Sequence, residues 1–200
     1  MDSSLDFFGF QVNLVEFFGV VTGFVGVWLT TRRNVWCWPV GLVNVLLFLV
    51  VFADARLYAD ASLQVVYVVL LSYGWWFWLR GGEDHHAAPV TRLSRARFAT
   101  LAGLVLVATV GAGFALSRFT DADLPYWDSF TTAASLVAQW LQARKILENW
   151  IVWIVADVVY VGMYLVKGLE LTAVLYASFL VLAVIGWRAW RPAADAGIPV

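Results

Sequence analysis

Apolar residues fill this chain in long runs separated by short charged or glycine- and proline-bearing breaks. Marking runs against breaks predicts seven helices, near residues 7–29, 36–52, 59–79, 98–116, 128–143, 149–166 and 169–190. Between Phe98 and Leu116 the apolar run is interrupted only by Thr, Gly and Ala, and about 20 such residues span a bilayer as a helix. The fifth run contains Thr131, Thr132, Ser135 and Gln139. It is retained because the connection from Leu116 to Asn149 would otherwise be a long loop carrying the helix-forming stretch "AASLVAQWL". The breaks "ADARLYAD" and "VKGLE" predict tight hairpins.

Composition turns these runs into membrane spans. Hydrophobic residues are 62% of the 200 and charged residues 14%, against about 45–50% and 25% in soluble domains. A core of this size cannot hide that excess, so the chain is expected to be an all-α integral membrane protein. The formal net charge of −1 points to no nucleic acid or acidic partner. Cys37 is the single cysteine, which excludes an internal disulfide and a cysteine-based zinc site, and its apolar neighbours predict a buried, inert thiol. Asp2 and Asp6 replace the basic region of a cleaved signal peptide. Basic residues are retained on the cytoplasmic side. Placing the N-terminus outside puts Arg32, Arg33, Arg80, Arg92, Arg95, Arg97, Arg144, Lys145, Arg188 and Arg191 inside, and leaves Arg56, Arg118 and Lys167 outside. The stretch "RGGEDHHAAPVTRLSRAR" becomes a solvated cytoplasmic linker.

The chain also repeats itself. "WLTTRR" at 28–33 matches "WLQARK" at 140–145 with an offset of 112, in register with Glu16/Asp128 and Phe18/Phe130. "NVWCW" at 34–38 is matched to "NWIVW" at 149–153 by a shift to 115, and the offset returns to 112 for Leu57/Leu169, Leu63/Leu175 and "GWWFW"/"GWRAW" at 74–78 and 186–190. The unit is three helices. An odd number needs one extra span between copies that share an orientation, and the fourth run supplies it. The expected architecture is three plus one plus three: a first triplet over 1–79, a linker over 80–97, a linker helix over 98–116, a second triplet over 117–190 and a tail over 191–200. Parallel repeats of this kind commonly enclose a substrate site near the bilayer midplane.

Polar side chains inside the runs are the candidate chemistry. Trp153, Asp157, Tyr160 and Tyr164 share one helical face, as do Gln64, Tyr67, Leu71, Trp75 and Trp78, while Tyr176, Phe179, Ala183 and Trp187 sit at matching repeat positions. Under the 115 shift, Asp157, Tyr160 and Tyr164 align with Leu42, Val45 and Leu49. A carboxylate about eight residues into a span costs roughly 2.5–3.5 kcal/mol and marks a functional position, which singles out Asp157. Asn13 and Glu16 draw the same attention near the first span's start. Trp36, Trp38, Trp78, Trp127, Trp150 and Trp190, near span ends, are expected to be interfacial anchors. The two histidines, His85 and His86, lie in the linker. With no other histidine, an enzyme active site and a metal centre are not expected.

The motifs "WPVG" at 38–41, "LYADASLQ" at 57–64, "YGWWFW" at 73–78 and "ARKILENWIVWIVAD" at 143–157 resemble the PnuC family of bacterial vitamin transporters, over residues 16 to 190. The resemblance implies a seven-helix fold built like a doubled sugar-transporter triplet, a homotrimer in the bacterial inner membrane, and facilitated diffusion of nicotinamide riboside trapped by phosphorylation inside the cell. No cofactor or ATPase motif is needed, and no Walker signature is present. Relatives with similar motifs carry thiamine, riboflavin or deoxynucleosides, and a non-transporting sensor is a further alternative. Carried over position by position, the pocket-lining residues are Asn44, Gln64, Tyr67, Gln139, Trp153, Asp157, Tyr160 and Trp187. Asp157 beside Trp and Tyr suits a cationic heteroaromatic ring. Pro39 is placed to shape the entry of the second span.

Overall fold

The computed structural model describes residues 4–7, 10–54 and 58–196, with side chains described for 17–53, 61–170 and 172–196. Seven helices follow a short hairpin: α1 (Leu14–Thr31), α2 (Cys37–Asp54), α3 (Tyr58–Arg80), α4 (Arg95–Phe119), α5 (Pro125–Ala143), α6 (Asn149–Val166) and α7 (Glu170–Ala196). All seven predicted spans are helical. The first begins later than its apolar run, because Ser4–Phe7 (β1) and Phe10–Asn13 (β2) pair antiparallel, with Ser4 opposite Asn13 and Phe7 opposite Phe10. The sequences "SLDF" and "FQVN" alternate apolar and polar residues, the period of a strand. The Asn13 and Glu16 side chains, and much of the turn after α2, lie outside the described residues.

Local chemistry sets several helix ends. Ser94 caps α4 by accepting a bond from the Arg97 N–H at 3.4 Å, and Pro125 opens α5, where its missing N–H costs nothing. Among the described residues, Ala61–Arg80, Arg95–Phe119, Asn149–Val166 and Thr172–Ala196 are long and apolar enough to cross a membrane, with shorter apolar stretches at Phe17–Thr31 and Cys37–Ala53. Helix α5 is not in that set, yet it buries Thr131, Ala134, Ser135, Ala138, Gln139 and Leu141. Its polarity faces inward.

Six helices close into a ring. Helix α1 packs on α2, α2 on α3, α3 on α5, α5 on α6 and α6 on α7, and α7 returns to α1; α4 stands outside against α5. Large apolar side chains point outward, with Val69 63%, Val107 71% and Val174 68% exposed. Such a surface is adverse in water and suited to lipid.

At one end of the ring, four tryptophans form a clasp. Trp38 and Trp78 meet edge-to-face with centroids 5.2 Å apart, Trp150 and Trp190 do the same at 5.4 Å, and Trp78 and Trp190 join the pairs at 5.5 Å. Each such contact adds about 0.5–1.5 kcal/mol beyond area burial. The Trp78 indole donates to the Gln142 carbonyl and the Trp190 indole to the Thr30 carbonyl, both at 3.0 Å. Trp38 lies against Gly74 and Trp150 against Gly186, and a Cβ on those glycines would fall 2.3 and 2.4 Å from the nearest indole carbon. Only glycine permits that approach.

Every one of these contacts has its partner 112 residues on, which corrects the shift to 115. Arg33 and Lys145 close α1 and α5 in the left-handed region at φ 56° and 55°, with the Asn34 N–H on the Leu29 carbonyl and the Ile146 N–H on that of Leu141. Helices α2 and α6 then start 112 apart, at Cys37 and Asn149. The counterpart of Trp38 is Trp150, and those of Asp157, Tyr160 and Tyr164 are Val45, Phe48 and Phe52. The extra tryptophan in "NWIVW" drew the sequence match one helical turn too far.

Two further expectations change. Trp36 and Trp127 are exposed, as anchors would be, but Trp38, Trp78, Trp150 and Trp190 are buried to 3% or less in the clasp. The linker is solvated only in part. His85 and His86 are exposed at and just after a 3₁₀ turn, whereas Ala88 and Val90 are buried. Thr91 bridges to the α5–α6 turn, donating to the Lys145 carbonyl at 3.1 Å and accepting from the Leu147 N–H at 2.9 Å. The Leu93 N–H donates to the Glu148 carboxylate at 2.7 Å.

Candidate functional site

Inside the ring, next to the clasp, lies a cavity of about 430 Å³, within the size range of small-molecule sites. Of the eight positions singled out from sequence, it is lined by Asn44, Gln64, Tyr67, Gln139, Trp153, Asp157 and Tyr160. Trp187 does not line it. That side chain packs against the main core cluster instead, because its position on α7 is one turn beyond Ala183, the last α7 residue to reach the cavity.

Each polar group has a distinct circumstance. The Asn44 amide spends both N–H bonds on α1, donating to the Gly19 carbonyl at 2.6 Å and to Thr22 Oγ1 at 3.1 Å. It therefore ties two helices together, and only its oxygen is spare. Tyr67 Oη and Ser135 Oγ are 2.8 Å apart, joining α3 to α5. Trp153 donates its indole N–H to Gln142 Oε1 at 3.1 Å. Gln139 is 7% exposed and its Nε2 is buried without a partner. An unsatisfied buried donor of this kind costs about 1–3 kcal/mol. Asp157 is 3% exposed, and among the described residues no cation pairs with it.

Aromatic rings complete the wall. Tyr160 stacks on Tyr164 with an interplanar angle of 9°, its ring centre is 4.5 Å from that of Tyr176, and Tyr176 meets Phe179 edge-on at 5.6 Å. Tyr160, Tyr176 and Phe179 line the cavity together with Phe48 and Phe52. Among the described residues, no lysine, arginine or histidine lines it.

The 112-residue register shows that the cavity has two unlike walls. Ser135, Gln139, Gln142, Trp153, Asp157 and Tyr160 on α5 and α6 correspond to Gly23, Val27, Thr30, Gly41, Val45 and Phe48 on α1 and α2, and all twelve line the cavity. The α3/α7 pairs reverse the bias only weakly, with Gln64 against Tyr176 and Tyr67 against Phe179. Hydrogen-bonding capacity is thus gathered on α3, α5 and α6, facing a largely apolar wall. Among the described residues, such a chamber presents aromatic ring faces beside a single carboxylate. Ser135 and Gln142 are cavity residues that sequence reasoning did not select. Their signal was the 4–3 spacing of Ser135, Gln139 and Gln142, which places all three on one face of α5.

Known proteins resemble this chain along most of its length. The chain is 25% identical over 207 residues to the nicotinamide riboside transporter PnuC of Escherichia coli (strain K12), covering 91% of this chain and 87% of that protein. It is 27% identical over 179 residues to the riboflavin/roseoflavin transporter RibM of Streptomyces davaonensis, covering 86% and 82%. The crystal structure of the vitamin B3 transporter PnuC superposes with a TM-score of 0.72 at 22% identity, over 92% of this chain and 83% of that one, so the fold is shared. These relatives are transporters, and the apolar helices make the chain a multi-pass membrane protein. Residues 13–192 match the family described as nicotinamide mononucleotide transporter, and the chain belongs to that family.

Proposed function

We propose that the protein is a facilitated-diffusion carrier for nicotinamide riboside, with Gln64, Tyr67, Gln139, Trp153, Asp157 and Tyr160 contacting the vitamin. The observation that carries this reading is the charge of the cavity: one buried carboxylate, a ring of aromatic side chains and no lining cation among the described residues. A cationic pyridinium nucleoside gains from Asp157 and from the ring faces. A phosphorylated form would bring negative charge beside Asp157 with no basic residue to receive it, which favours the riboside over the mononucleotide. A second reading, riboflavin, is favoured by the similarity to RibM, and thiamine shares the cationic ring.

The same reading includes the arrangement around the cavity. Helices α1–α3 and α5–α7 form two parallel triplets joined by α4, with residues 80–97 as the linker, and the triplets rock about the central site. The clasp end, bearing Arg32, Arg33, Arg80, Arg144, Arg188 and Arg191, faces the cytoplasm of a bacterial inner membrane. The N-terminus lies outside, and the functional unit is a homotrimer. Transport needs no ion gradient, since phosphorylation inside the cell makes uptake one-way.

The test is a titration of purified protein with nicotinamide riboside, thiamine, riboflavin and nicotinamide mononucleotide, followed by tryptophan fluorescence, and then counterflow of the bound vitamin in proteoliposomes. Tight binding and counterflow of nicotinamide riboside alone is the expected result. Preference for riboflavin or for the mononucleotide would overturn the substrate assignment, and binding without counterflow would make the protein a sensor.

A further inference from the structure

Gln142 sits where the cavity meets the clasp and performs two separable tasks. Its backbone carbonyl accepts the Trp78 indole at 3.0 Å and the Lys145 N–H at 2.9 Å. Its side-chain oxygen accepts the Trp153 indole at 3.1 Å. The repeat separates these roles. Thr30, 112 residues earlier, uses its own carbonyl in the same way for the Trp190 indole at 3.0 Å and the Arg33 N–H at 2.9 Å. Its short side chain turns back on α1, donating to the Gly26 carbonyl at 2.8 Å. A threonine therefore suffices for the clasp and for the turn. The long amide of Gln142 is needed for neither.

What differs between the halves is the residue opposite: Trp153 on α6, against Gly41 on α2, both lining the cavity. An indole is a donor only, so it fixes the amide with its oxygen toward Trp153 and leaves the two amide N–H groups available to a ligand. We propose that Gln142 is a positioning residue that locks the Trp153 ring as a stacking platform for the vitamin, so that affinity depends on a hydrogen bond made before the vitamin arrives. Preorganising an aromatic platform reduces the ordering cost of binding. This inference rests on the reading that Trp153 contacts the vitamin.

The test compares wild type, W153A, W153F, Q142T and the W153F/Q142T double variant by calorimetric titration with nicotinamide riboside and, in parallel, riboflavin. Q142T installs the residue that the first half uses at this position, so the thermal midpoint stays near wild type. Its affinity falls about three- to tenfold, the value of one hydrogen bond of ordinary strength. W153F keeps a ring but removes the same bond from the other side, and Q142T adds no comparable loss in that background. If W153A weakens binding while W153F and Q142T bind as wild type, this inference is overturned and the site reading stands. If W153A binds as wild type, or neither vitamin binds the unaltered protein, the site reading fails and this inference fails with it. Should Q142T not fold, W153F decides alone: wild-type affinity there rejects the proposal.

Discussion

Asp157 shows how much one side chain decides. Removing its charge while keeping its shape, Asp157→Asn, is expected to weaken a cationic vitamin about tenfold or more, the scale of a charge-assisted contact, and to leave neutral riboflavin nearly unaffected; paired titrations measure the difference. Gly186 is the opposite case, a residue whose value is having no side chain. Gly186→Ala places a Cβ 2.4 Å from Trp150, and overpacking of this kind costs about 1–3 kcal/mol, so the thermal midpoint should fall in a melting experiment. Six of the seven singled-out positions that line the cavity, all but Trp153, were legible from sequence because an amide, phenol or carboxylate inside an apolar run is costly and so stands out. Trp187 was not separable from them. An indole is equally at home in a core, a cavity or a membrane interface, and neither its type nor its period tells which.

At the scale of elements, the α5–α6 turn carries the best-defined electrostatics. Lys145 is 2% exposed; burial, and then the Arg33 guanidinium, push its amine down from 10.5 to about 8, while Cys37 opposes them. Its Nζ donates to the Ala88 carbonyl at 2.8 Å and lies 4.7 Å from the Trp78 ring centre. Between pH 8 and 10.5 the folded chain has released a proton that the unfolded chain still holds, so unfolding takes one up and rising pH disfavours it. Stability should therefore increase across that window, by about 3 kcal/mol from this group at most, and the thermal midpoint of Lys145→Met should lack that rise. Helix α5 illustrates why elements were legible but their surroundings were not. Its length followed from the need to connect Leu116 to Asn149, yet its polar face looked like a weak span and is in fact turned inward. The apolar residues 87–90 of the linker were likewise visible in the sequence, but the α5–α6 turn they dock on is far away along the chain.

At the scale of the whole molecule, six of the seven helices form a ring around a chamber with one polar wall, α4 stands outside it, and apolar side chains face outward; its orientation in the membrane is open to a direct experiment. The chain's only cysteine, Cys37, is buried, so His86→Cys at the exposed linker provides a single accessible thiol. A membrane-impermeant maleimide should label it in opened cells and not in intact ones; labelling in intact cells would invert the topology. Residue order by itself determined that this chain lives in lipid, that it has seven helices, and that its tryptophans recur, because hydrophobic transfer and helical period are local properties summed along a segment. Only tertiary packing decided that the repeat keeps one offset and that four predicted anchors close a clasp. Those outcomes depend on which faces meet across more than a hundred residues, and contact at that distance leaves no periodic trace in a single sequence.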